Sequence, residues 1–289
     1  MKEIRPGVWL IEGGNKGRYP FAHSIYVEGD NNLLIDTGAG PQLEEIASKT
    51  EQVVLSHYHR DHLTYNHLFS RALFSVHNED APGVESVAAF FNLSGLNQID
   101  IEAYWTMVNQ KAFSATKINR YLQDGDKFEL GRFTLEVLHL PGHTPGHCGF
   151  LIKEYDLVYS ADIDLTKFGP WYGNPSSDLE KFRQSIRRLR RLEPMVLLTG
   201  HSGPIFKNIG QKLADYESVL DQRDEAIMKI IKNKPLSLEQ LTDYKVIYRR
   251  HFGQDVLRYF EQIMVHKHLV SLVNKKLIVC TAPGLYEAL

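Results

Sequence analysis

The sequence is poor in the residues that would staple or anchor it. Its two cysteines, Cys148 and Cys280, lie far apart, which excludes a disulfide framework and a Cys-x-x-Cys metal site. No stretch approaches the ~20 apolar residues needed to span a bilayer, so no membrane partner is expected. The opening residues, MKEIRPGVWLIEGG, lack the apolar centre of a signal peptide and read as a strand. A cytoplasmic protein is the expectation. Neither sign of charge dominates: a formal net charge of −2 argues against global attraction to nucleic acid or anionic membrane. Positive charge does gather at one end, with ten Lys/Arg against five Asp/Glu in residues 229–289, a mild asymmetry.

What remains is an ordinary globular composition, 43% hydrophobic and 24% charged, long enough for a large domain with a smaller one. Short β-rich runs such as Val8-Trp9-Leu10-Ile11 and Ser24-Ile25-Tyr26-Val27 are separated by glycine-rich turns. Apolar runs Leu33-Leu34-Ile35, Val53-Val54-Leu55, Leu157-Val158-Tyr159 and Val196-Leu197-Leu198 read as buried strands. Helical spacing from Pro41 to Lys49, between two of these runs, points to a mixed α/β sheet. Residues 82–120 break the rhythm and read as a helical insertion whose aromatics (Phe90, Phe91, Tyr104, Trp105, Phe113, Tyr121) could line a pocket or seal a small subcore. Ser177 with Glu180 suggests a capping box for a helix whose arginines, Arg183 to Arg191, form a solvated basic face. Beyond about residue 208 the pattern turns helical, with Ser237 and Gln240 as a second capping box. A closing ribbon there suggests a winged-helix-like appendix over 211–289, after a catalytic domain over 1–210.

The chemistry lies in LSHYHRDHL, residues 55–63. His57, His59, Asp61 and His62 follow one strand, His143 lies in the loop PGHTPGH, Asp162 follows another strand, and His201 follows a third. In an open α/β sheet such strand ends collect at one edge. Imidazole and carboxylate suit zinc, and also iron or manganese. Seven ligands divide into two sets of three with one shared carboxylate, enough for two divalent ions ~3.5–4 Å apart.

These motifs, with LPGHTPGHCGF, YSADID and LTGHSGP in that order and the early turn Leu34-Ile35-Asp36-Thr37-Gly38, resemble the metallo-β-lactamase superfamily over roughly residues 1–210. The resemblance implies an αββα four-layer sandwich. It also implies that His57, His59 and His143 hold a first metal, that Asp61, His62 and His201 hold a second, and that Asp162 bridges them. Asp36 would stand behind the histidine loop and orient it. Where the family has small residues after the His-Asp-His run, this chain has Thr64 and Tyr65, so Tyr65 is a candidate to reach the pocket. Cys148 occupies no ligand position and reads as core. His23, His139 and His147 lie near the motifs as packing or orienting groups, and His266 and His268 read as an ordinary polar helix face.

The expected reaction is hydrolysis. Two ions would bring the pKa of a bridging water from ~15.7 toward 7, and the resulting hydroxide would attack an ester or thioester of a small organic substrate. Asp61 would accept its proton, and Tyr172, in FGPWYGNP, is a candidate oxyanion contact. Two alternatives stand beside this. The motif spacing resembles glyoxalase II-like thioester hydrolases, whereas the helical appendix resembles a β-lactamase-like endoribonuclease group, which with the basic tail would make nucleic acid the partner. A single iron would instead give a sulfur dioxygenase, as in the persulfide dioxygenases of this fold. A homo-oligomer is compatible with the sequence.

Overall fold

The computed structural model of the protein describes residues 1–99, 114–250, 255–281 and 284–289. Among these residues the first sheet has seven strands in chain order: β1 (Lys2–Arg5), β2 (Val8–Ile11), β3 (Ser24–Val27), β4 (Leu33–Ile35), β5 (Gln52–Val54), β6 (Leu73–His77) and β7 (Arg120–Leu122). β1 to β4 pair antiparallel, while β4 to β7 run parallel. The second sheet has five strands, β8 (Lys127–Glu129), β9 (Thr134–His139), β10 (Cys148–Ile152), β11 (Leu157–Tyr159) and β12 (Val196–Leu198), again neighbours in chain order. Its last pair, β11 with β12, is parallel.

Strand alternation explains how the sheets stack. Leu33 and Ile35 of β4, with Leu157 and Tyr159 of β11, enter the apolar layer between the sheets. Leu34 points to the outer layer beside Leu43, Ile46 and Leu63. Val158 and Leu197 point the other way, against Phe182, Ile186 and Leu189 of the helix Leu179–Arg191. Helix, sheet, sheet, helix is the αββα sandwich expected, and Cys148 is buried in its central layer.

The C-terminal part holds the helix Ile209–Ile231, β13 (Leu236–Ser237), the helices Leu238–Thr242 and Asp255–Asn274, and the hairpin β14 (Ile278–Thr281) with β15 (Leu285–Ala288). The order helix, strand, helix, helix, strand, strand, with a small sheet ordered β13-β15-β14, is winged-helix-like. Ser237 and Gln240 form the expected capping box. One apolar cluster runs from Val158 and Phe182 through Leu213 and Leu220 to Met264 and Leu269, so the appendix and the sandwich share a core. No helix among the described residues is long and apolar enough to cross a membrane.

Local differences from the sequence reading have simple causes. The helix Leu179–Arg191 is capped by Asp178, whose carboxylate accepts the amides of Glu180 and Lys181, and this frees Ser177 for another partner. The insertion is helical at Ala81–Glu85 and Val87–Ser94, but its last residues return as β7, leaving Tyr121 exposed on a sheet edge. Tyr104, Trp105 and Phe113 lie outside the described residues. The basic face is largely neutralised rather than simply solvated. Arg183 pairs with Asp221 and Asp224, Arg187 with Glu217, and Arg188 with Asp124.

Candidate metal centre

Three strand ends and one hairpin loop converge at one edge of the sandwich. β5 delivers His57 and His59, and the short helix Arg60–Leu63 then turns Asp61 and His62 inward. β11 leads to Asp162, β12 to His201, and the loop between β9 and β10 carries His143. Ala161, just before Asp162, has φ +43°, a strained conformation of the kind found at functional sites. Two glycines permit the close approach. A Cβ on Gly38 would lie 1.8 Å from the Asp61 carbonyl, and one on Gly200 would lie 2.8 Å from His62 Cε1.

The structure brings the seven expected residues into two adjoining groups. His57, His59, His143 and Asp162 present ligand atoms within 4.8 Å of one another, as do Asp61, His62 and His201. Asp162 faces both groups. Its Oδ2 lies 3.1 Å from His143 Nε2 and 4.0 Å from His57 Nε2, and its Oδ1 lies 2.8 Å from His62 Nε2 and 3.5 Å from His201 Nε2. Asp61 Oδ2 is 3.4 Å from His201 Nε2.

The outward nitrogens of these rings are already committed, which fixes the inward ones. His143 Nδ1 donates to the Trp171 carbonyl at 2.8 Å, His201 Nδ1 to the Gly17 carbonyl at 2.7 Å, and His62 Nδ1 to Asp36 at 2.7 Å. Asn174 Nδ2 sits against His59 Nε2, and His59 Nδ1 faces His143 Nε2 at 2.8 Å. Asp36 also accepts the Ser56 amide, the Ser56 hydroxyl and the Tyr159 hydroxyl. It is fully buried with φ +58°. Its contacts with Ser56 and His62 place it behind the histidine loop.

Three buried atoms then have no hydrogen-bond partner: His57 Nε2, His62 Nε2 and Asp162 Oδ1. His62 Nε2 and Asp162 Oδ1 are 2.8 Å apart without hydrogen-bond geometry. At that distance the pair calls for positive charge, either a proton on the ring or a cation bound beside it. The donor set, nitrogen-rich with shared carboxylate, fits divalent ions. The local electrostatics run the same way. Burial and the neighbouring imidazoles push His57 and His59 well below the ordinary histidine range, so they offer neutral rings. At His62 burial opposes the charge, yet Asp162 and Asp36 override it and raise the ring to about 10. Asp61 and Asp162 are held low against burial by the facing histidines, His201 and His62 foremost. The site strongly favours positive charge.

Tyr172 occupies a different place from the one expected. It is fully buried, its hydroxyl 2.6 Å from His268 Nε2 and 2.9 Å from Arg223, and it does not line the cavity beside the histidines. Its neighbour Trp171 does. Tyr65 packs in the outer apolar layer and does not line the cavity either. His268 is buried between Tyr172 and Asp224 rather than on a polar face. His147 accepts the Asp162 amide at 3.2 Å, and His139 donates to the Pro145 carbonyl, so both orient site loops. The sequence reading passed over Asp80. It accepts the Gly146 amide, the Thr144 hydroxyl and the Tyr58 amide, tying the His143 loop to the His57 loop. Its position three residues beyond the end of β6 was the available signal. Asn174 had none.

The cavity over this site holds about 600 Å³ and is walled by Phe90, Leu96, Phe168, Trp171, Leu257 and Phe260, with Arg18, Arg60, Asp164 and Thr166 among its polar lining.

An αββα sandwich with paired histidine and aspartate groups at its edge defines a metallo-hydrolase class. Residues 18–201 match the model of the metallo-beta-lactamase superfamily, and the chain belongs to that family. It is 27% identical over 199 residues to the hydroxyacylglutathione hydrolase GloC of Haemophilus influenzae, covering 65% of this chain and 87% of that protein. It is 25% identical over 244 residues to an atrochrysone carboxyl ACP thioesterase of Aspergillus fumigatus, covering 80% of this chain and 66% of that protein. A metallo-beta-lactamase family protein from Thermus thermophilus matches in structure with TM-score 0.76 and 22% identity, over 99% of this chain and 100% of that one. The last likeness extends the fold through the C-terminal part.

Proposed function

We propose that this protein is a two-metal hydrolase acting on a thioester or ester of a small organic substrate. His57, His59 and His143 hold one divalent ion, Asp61, His62 and His201 hold the other, and Asp162 is shared. The observation that carries this reading is Asp162, whose two oxygens face the two groups of histidines separately. Zinc suits the donor set, and iron or manganese also fits. Bound ions supply Lewis acidity toward a carbonyl oxygen and acidify water into the neutral range.

The chain's own residues orient and move protons. Asp61, held ionised, accepts a hydrogen bond and then a proton from the attacking water. The water oxygen bonds to the acyl carbon and the C–S or C–O bond breaks. One proton leaves with the thiol or alcohol, and the other passes through Asp61 to solvent as the carboxylate forms. Asp36, His147 and Ser177, whose hydroxyl donates to the His143 carbonyl at 2.8 Å, hold the ligands in register. A thioester is favoured by the relatives, one named for hydroxyacylglutathione and one for an acyl-carrier-protein substrate. The arginine ion pairs on the helix Leu179–Arg191 remove much of the basic rim that a nucleic-acid substrate would need.

Metal analysis of the purified protein beside a panel of thioesters, esters, phosphodiesters and RNA tests this. The expected result is two equivalents of metal with thioester or ester turnover, and loss of both in His59→Ala. One equivalent of iron with oxygen consumption on a persulfide, or turnover confined to RNA or phosphodiesters, would sink it.

A further inference from the structure

We propose that the insertion and the C-terminal helix convert the cavity into a hydrophobic acyl-chain site. The substrate is then a thioester or ester of a hydrocarbon-rich acid rather than of a polar hydroxyacid. This rests on the hydrolase reading above and names the acyl class it serves.

The cavity is chemically divided. Its floor is His59, His143, Asp162 and His201, where a scissile carbonyl belongs. The wall that leads away from that floor is made by three separate segments: Phe90 and Leu96 from the insertion, Phe168 and Trp171 from the loop after β11, and Leu257 and Phe260 from the helix Asp255–Asn274. It begins at the site itself. The Trp171 ring stands 5.6 Å from the His59 ring and 5.6 Å from the His143 ring, and the Phe260 ring stands 5.3 Å from Trp171, edge to face. An acyl group whose carbonyl lies among the histidines therefore meets aromatic surface within one ring of the reacting carbon. A hydroxyl turned onto those rings would lose its water there, away from the polar lining of Arg18, Arg60, Asp164 and Thr166, which is costly. A methylene would gain from the same transfer. A volume near 600 Å³ suits a small ligand rather than a macromolecule, so a large thiol carrier stays outside and the acyl part enters.

The wall is also held in place by the appendix. Arg223, on the helix Ile209–Ile231, is buried and donates to the Phe168 and Pro170 carbonyls, each at 2.6 Å, and to the Tyr172 hydroxyl. Trp171 donates its indole N–H to the Tyr248 hydroxyl at 2.6 Å. The C-terminal part thus supplies two wall residues and fixes two more, which makes it a specificity-determining element.

The test is a chain-length series of acyl thioesters and p-nitrophenyl esters from acetyl to decanoyl, with a lactoyl thioester beside them, on the metal-loaded protein. We expect kcat/KM to rise by about fourfold per methylene over the first several carbons and the lactoyl thioester to rank below its unsubstituted counterpart. The octanoyl-to-acetyl ratio should fall at least tenfold in Leu257→Asp, and also in Phe260→Ala. Because either variant could disturb folding, metal-stripped wild-type protein is titrated in parallel with the product carboxylates, read by tryptophan emission. Octanoate should bind at least tenfold more tightly than acetate. A flat series with lactoyl preferred, or a ratio unmoved in both variants, overturns the acyl chamber while leaving the hydrolase reading intact. No ester or thioester turnover, with chain-dependent carboxylate binding retained, removes the hydrolase reading and keeps the chamber. Equal binding of octanoate and acetate overturns the chamber whatever the turnover.

Discussion

Asp80 accepts the Gly146 amide at 2.6 Å across 66 positions of sequence. With Thr144 and the Tyr58 amide on its other oxygen, it joins two loops that each carry histidines of the site. Asparagine would keep the size but turn an N–H toward one of these donors. Asp80→Asn is expected to lower metal affinity roughly 10- to 100-fold, measured by competition with a chromogenic chelator. Wild-type affinity in the variant would reduce Asp80 to packing.

The same carboxyl should leave a mark on acid stability. Burial raises it from 3.8 to about 6 even with three hydrogen bonds opposing. The folded state therefore binds more protons than the unfolded state between these values. Stability falls as pH rises through that window and levels off above 6. The full effect is roughly 3 kcal/mol. Urea unfolding at half-unit intervals from pH 4 to 7, in wild type and Asp80→Asn, isolates it. Parallel stability curves for the two proteins would contradict the assignment.

Asp36 takes four hydrogen bonds in a fully buried site, one of them from His62. Asp36→Ala strands those donors and removes the partner that turns His62 Nε2 inward. The expected cost is about 3–5 kcal/mol of stability, with a large loss of bound metal. Denaturant midpoints and metal content are the two readouts, and both unchanged would refute the role.

Chelation should loosen the fold measurably. His57, His59, His143 and Asp162, and beside them Asp61, His62 and His201, gather their ligand atoms only in the folded chain, so a divalent ion held there stabilises the folded state over the unfolded one. Metal at a hundredfold its Kd adds about 2.7 kcal/mol, which for a chain of this size is roughly 4–5 °C in Tm. Scanning calorimetry with chelator, then with zinc, iron or manganese restored, measures it. A melting curve indifferent to both treatments would count against a metal at this site.

The buried strands were legible as short apolar runs, and the His and Asp residues that follow three of them stood out, while His143 lies in a hairpin loop marked by its Pro and Gly. What failed were choices of one or two residues. In the extended segment FGPWYGNP neighbouring side chains point to opposite sides, so Trp171 faces the cavity and Tyr172 the core. His266 and His268, two apart on a helix, fall on nearly opposite faces, and only the tertiary packing of Asp224 and Tyr172 shows which is buried. Asp178 rather than Ser177 caps its helix because Ser177 is drawn to the His143 carbonyl, a contact made across 34 residues. Asn174 and Arg223 act through contacts that no local pattern encodes.

Trp171 sets one further constraint. Its carbonyl orients His143, its indole N–H is tied to Tyr248, and its ring walls the cavity. Ring and ligand are thus mechanically in series. Whatever factor a carboxylate in the cavity applies to metal affinity, the metal must return to the carboxylate, because the thermodynamic cycle has to close. Titrating octanoate with and without metal, and metal with and without octanoate, gives both sides of that cycle. A coupling factor of one would mean that this residue is a girder and transmits nothing.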